Sequence, residues 1–181
     1  HWLIWLILIE IIGLLSLPLV ITIFRWLPDR GIPLAKTLGL LSVSWLVWLG
    51  TSLDWWQFTE TSALSILSLL ALSSAILLYL KRGSMIPLLK NRWRYIGATE
   101  ILFLTAFLVF LAIRAANPDL WHPWRGGEKP MDLAYLTAII KSSVMPPYDP
   151  WYAGGYINYY YFGHFMVAML AKITGIVPAT A

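Results

Sequence analysis

Runs of about 20 apolar residues constrain this chain more than any other feature. A helix rising about 1.5 Å per residue needs that many to cross about 30 Å of hydrocarbon. Five runs qualify: Trp2 to Trp26, Ile32 to Gly50, Ser62 to Leu80, Ile96 to Ile113 and Ile157 to Gly175. Glu10 and Pro18 interrupt the first, and an internal proline predicts a kink or a neighbour that covers the freed backbone. With no basic start and no small-residue cleavage site, this run reads as a retained span and not as a signal peptide.

Composition agrees. Of the 181 residues 59% are hydrophobic and 12% charged, where a soluble domain carries about 25% charge. A soluble enzyme, a disordered chain and a nucleic-acid module are excluded, so no nucleic-acid partner is expected. The absence of cysteine excludes disulfides, thiolate metal sites and cysteine nucleophiles. The 11 Trp and 9 Tyr suit anchors at the membrane–water interface.

Basic residues set the expected orientation, because cytoplasmic loops retain them. Lys81, Arg82, Lys90, Arg92 and Arg94 follow the third run, and Arg25, Arg30 and Lys36 follow the first, so both connections are expected inside. Thr51 to Thr61 holds Asp54 and Glu60 with no basic residue and is expected outside. The amino end is then outside, the carboxyl end inside, and the long segment Arg114 to Tyr156 outside. The expected fold is an all-α integral membrane protein of about five transmembrane helices, with a short interfacial amphipathic helix in a long outer loop. Its regions are a four-helix transmembrane part over 1–114, the outer loop over 115–156, and the fifth helix over 157–181. The start at His1 and the apolar-to-small stretch Ile176 to Ala181 suggest an ordered part of a longer protein.

Distinctive chemistry concentrates in the outer segment and the run after it. Turn formers from Asn117 to Pro130 precede Asp132, which stands where a helix N-cap belongs, ahead of Leu133, Leu136, Ile139 and Ile140 at near-helical spacing. A helix is expected over Asp132 to Ser142, lying along the membrane surface and ended by Pro146 and Pro147. Residues with chemical potential here are Arg125, Glu128, Lys129, Asp132, Asp149, Asn158, Tyr159, Tyr160, Tyr161 and His164.

Two carboxylates, two cations and a tyrosine wall can hold a lipid phosphate and an acceptor hydroxyl. Each residue also has a structural reading. Asp132 suits a helix cap, Arg125 with Glu128 and Lys129 a solvated salt-bridged turn, and the tyrosines an interfacial aromatic belt. His164, seven residues into the fifth run, can simply bond to a neighbouring helix. Glu10 and Glu100 fall near opposite faces under this topology, which argues against a direct pair.

The stretch GGEKPMDLAYL followed by PPYDPWYAGGYINYYYFGHF resembles the YYY membrane protein family of bacteria and archaea. The resemblance covers roughly Trp121 to Leu170 and takes in the triplet Tyr159 to Tyr161. It implies an uncharacterised multi-spanning protein of a prokaryotic cytoplasmic membrane, similar in layout to GT-C class glycosyltransferases. Such enzymes take sugars from polyprenyl-phosphate donors. The likeness implies Asp132 as catalytic base or metal ligand, with Glu128 assisting, and Arg125 and Lys129 contacting phosphate. Asn158, Tyr159, Tyr160, Tyr161 and His164 would line the donor site. Two departures stand out: Met131 precedes Asp132 where the class has an adjacent acidic pair, and members of the class have more spans than five. The competing expectation is a non-catalytic accessory subunit of a larger membrane complex, touching lipids, other membrane subunits or pigments. The cofactor would be a divalent metal ion in the first case and a tetrapyrrole at His164 in the second.

Overall fold

A computed structural model describes residues 1–117 and 127–180. Among these residues six α-helices follow one another: α1 (Trp2–Ile23), α2 (Ala35–Ser52), α3 (Glu60–Asn91), α4 (Trp93–Ala116), α5 (Lys129–Lys141) and α6 (Tyr161–Thr174). Among the described residues no strand forms beyond one bridge between Tyr148 and Tyr156. The chain is an all-α integral membrane protein, with α1 to α4 long and apolar enough to cross a bilayer.

Small residues let α1 and α2 approach closely. A Cβ on Gly39 would stand 2.7 Å from Ser16 Oγ and 3.0 Å from the Ile12 carbonyl, so backbones meet where larger side chains would hold them apart. Ser16 Oγ donates to the Ala35 carbonyl at 2.5 Å, and Ser74 of α3 donates to the Leu15 carbonyl. These bonds clasp α1 one turn before Pro18, which the helix passes through without ending. The main core joins Leu8, Ile12, Val43, Val47, Phe58, Ile139, Phe165 and Met169 from four helices and the loop before α3. A smaller core of Ile21, Ile32 and Met85 lies at the other end.

Two spans differ from expectation. α3 has 32 residues and runs through Lys81 to Asn91, where a connection was expected; its φ/ψ break at Lys81 marks the boundary that hydropathy detects. A Thr59–Ser62 capping box starts it. α6 has 14 residues, about 21 Å at helical rise and too short to span the hydrocarbon. Trp48 Nε1 donates to Tyr161 Oη at 2.8 Å and Trp5 Nε1 to Thr174 Oγ1 at 3.1 Å. Trp5 is near the start of α1 and Trp48 near the end of the antiparallel α2, so both ends of α6 sit at one end of the bundle. The helix therefore lies across this aromatic end and is not a fifth span. Ala179 remains beside Trp2 and Arg114, so the expected return of the carboxyl end to the opposite face does not occur.

The opposite, basic end carries Arg25, Arg30, Lys81, Arg82, Lys90, Arg92 and Arg94. Lys36 does not belong to it. The connection 24–34 folds back along α1 through a turn at Arg30 and Gly31 (φ 54° and 69°), so α2 starts level with Gly13.

Candidate functional site

Pro130 decides how Asp132 is used. A proline in the first turn suits the start of a helix because its missing N–H is not needed there. α5 accordingly begins at Lys129 with Glu128 at the cap position, three residues before the expected start, and the cap makes no side-chain hydrogen bond. Asp132 sits inside the first turn, its own N–H bonded to the Glu128 carbonyl at 2.9 Å. Its carboxylate is thus not an N-cap. Instead Asp132 Oδ1 lies 3.1 Å from Nε2 of His164, in the first turn of α6. An ionised carboxylate only accepts, so Nε2 carries the proton. The Asp132 side chain is 49% exposed and that of His164 25%. His164 Nδ1 is enclosed and has no partner among the described residues.

Aromatic rings frame the pair. Tyr135 stands edge-on to His164 at 6.0 Å between centroids and 6.5 Å from Tyr159, and Tyr160 lies 4.1 Å from Tyr159. A hydrogen bond with Tyr160 is the main reason the Tyr159 phenol is pushed above its ordinary range, helped by desolvation and the charge of Glu128. It is therefore a neutral donor at physiological pH. Tyr161 is separated from this wall, since its hydroxyl binds Trp48 in the bundle. Asn158 and Glu128 are exposed, and Glu128 lies close enough to influence Tyr159. Asp149 is structural: Oδ1 accepts the N–H groups of Trp151 and Tyr152 at 2.8 and 3.2 Å. Arg125 lies outside the described residues.

Asp132 also borders a cleft of about 160 Å³ with Arg114, Lys129, Leu136 and Pro178 among its walls. Arg114 was missed in the sequence, where an arginine closing an apolar run reads as a span boundary. It also lines a mainly apolar groove of about 570 Å³ between α1 and α4, with Trp5, Phe107 and Phe110. The groove and the cleft thus share a cationic corner.

A second charged cluster lies midway along α1. Lys36 Nζ is 2.7 Å from Glu10 Oε1 and 2.5 Å from Glu100 Oε1, and 3.7 Å from the centre of the Phe103 ring. The two glutamates expected to be apart are joined through Lys36, because the folded-back connection raises the start of α2 to their level. An ammonium has three donors, and two carboxylates and a ring face account for them.

Among the described residues no three His, Asp or Glu side chains group closely enough to hold a metal ion. A tetrapyrrole does not suit His164 either, because Nε2 is engaged by Asp132 and Nδ1 is enclosed.

No curated protein and no solved structure matches the chain. Residues 42–181 match a family described as uncharacterized membrane protein (DUF2298), a stretch that includes Asp132, His164 and Arg114. By that match over most of its length, the chain belongs to this membrane protein family.

Proposed function

We propose that this chain is the amino-terminal part, or a truncated relative, of a GT-C-like glycosyltransferase that takes a sugar from a polyprenyl phosphate. One observation carries the reading: Asp132 is free of capping, is oriented by His164 at 3.1 Å, and faces a cleft walled by Arg114 and Lys129. The apolar groove that shares Arg114 gives an isoprenoid tail a path to that cleft. The aromatic end is then the outer side.

In this reading the Asp132 carboxylate takes the proton of an acceptor hydroxyl. The hydroxyl oxygen bonds to the anomeric carbon while the bond from that carbon to the phosphate oxygen breaks. Polyprenyl phosphate leaves, its charge balanced by Arg114 and Lys129. His164 holds Asp132 by donating from Nε2 and is a positioning residue, while Tyr159 and Tyr160 wall the sugar side. Asp132→Asn keeps the shape and removes the base. Transfer of labelled sugar from polyprenyl phosphate by the full-length protein in vesicles should fall roughly 10²- to 10⁴-fold, with unfolding unchanged; an unaltered rate would remove Asp132 from catalysis.

One observation favours the accessory-subunit reading. α4 buries none of its residues, leaving a long apolar face for lipid or a membrane partner. Fixed stoichiometric partners in the native membrane, with no transfer by the purified protein, would select that reading.

A further inference from the structure

The basic end contains a cleft that the proposed chemistry does not use. It opens, with a volume of about 420 Å³, between the last turn of α1, the folded-back connection and the break in α3, and Arg25, Arg30 and Lys81 line it together with Ile21, Leu80 and Leu88. Among the described residues none of the three cations has an ion-pair partner. The nearby carboxylate of Asp29 is engaged elsewhere, accepting from Gly31 N at 3.0 Å and Tyr95 Oη at 3.3 Å.

Two backbone features bring the cations together. Arg30 is in the left-handed region at φ 54°, a conformation unfavourable for a residue with a Cβ. Asp29 fixes that turn through its bond to Gly31. On the facing helix Lys81 itself is the non-helical residue, with φ −111° and ψ 15°. A solvated positive face requires neither a strained arginine nor a helix break at the lysine, and like charges gathered in one cleft repel unless an anion joins them.

We propose that this cleft binds the headgroup of an anionic phospholipid. Three cations match the phosphate, and Leu80 at the cleft continues into the exposed Ile76 and Leu72 on the same face of α3, along which acyl chains would lie. Basic pockets between spans are a recurring solution for such lipids. That apolar edge favours a lipid over a free phosphate ester.

Native mass spectrometry of the full-length protein in mild detergent tests this, with phosphatidylglycerol or phosphatidylcholine titrated and bound lipids counted. A cation near the membrane surface contributes about fivefold in affinity. Arg25→Gln, Arg30→Gln and Lys81→Gln together should therefore weaken phosphatidylglycerol binding about 100-fold and leave phosphatidylcholine unaffected. Lys81→Gln alone, about fivefold, serves if the triple variant fails to fold. Lys90→Gln with Arg94→Gln, at the same end but outside the cleft, should change little. Three results would overturn the site: undiminished phosphatidylglycerol binding by the cleft variants, equal loss in the Lys90 and Arg94 control, or full competition by free glycerol phosphate.

Discussion

Glu10–Lys36–Glu100 and Asp132–His164 both join helices through charge, yet they differ in what they leave over. In the triad the ammonium meets two carboxylates and a ring face, and the Lys36 side chain is only 17% exposed. In the pair, one carboxylate oxygen meets one ring nitrogen, half the aspartate side chain is open, and two further cations line the adjoining cleft. A saturated cluster in an apolar setting holds helices together. An unsaturated one can bind something else, and on this difference rests the proposal that the first cluster is structural and the second carries chemistry.

The comparison breaks most sharply at Lys36. Lys36→Met strands two carboxylates among apolar helices and should cost about 3–5 kcal/mol, read by unfolding of the purified protein in detergent. Replacing all three by apolar residues, Lys36→Met with Glu10→Leu and Glu100→Leu, should restore most of that stability, because an ionic cluster held among apolar helices can be exchanged for well-packed apolar side chains. A triple variant as unstable as the single one would give the triad a role beyond joining helices. Arg114→Gln removes a charged contact worth about 1.5–3 kcal/mol, so the KM for the lipid donor should rise by at least about tenfold with stability unchanged. His164→Phe should lower kcat about tenfold, the equivalent of one lost hydrogen bond. His164→Gln, which can still donate to Asp132, should recover part of that rate, whereas equal losses would contradict a positioning role. The smallest effect is expected at Trp48→Phe, where losing the bond to Tyr161 should cost about 1 kcal/mol of stability and little activity.

Hydropathy made α1, α2 and α4 legible because a long apolar run has one low-energy solution in a bilayer. It failed at α6, whose apolar residues Phe165, Ala168, Met169 and Leu170 are buried against other helices; apolarity alone does not distinguish lipid from protein surroundings. It also read the charges from Lys81 to Arg94 as a loop, although charged residues continue a helix well outside the hydrocarbon. Asp132 and His164 were both visible as candidates, but their contact joins residues 32 positions apart and depends on α6 lying across the bundle. Arg114 was hidden by its position at the end of a span. The Glu10–Glu100 link was hidden by the fold-back at Arg30 and Gly31, whose left-handed turn no apolar periodicity signals.

The most direct test compares Asp132→Asn and the apolar triad variant, each in the full-length protein, for sugar transfer from polyprenyl phosphate in the same vesicles. The assignment of chemistry to Asp132 predicts that the triad variant stays within a few fold of the unmodified rate while Asp132→Asn loses at least about 100-fold. A folded triad variant without transfer, beside an Asp132→Asn protein that keeps its rate, would contradict it and move the chemistry to the middle of the membrane.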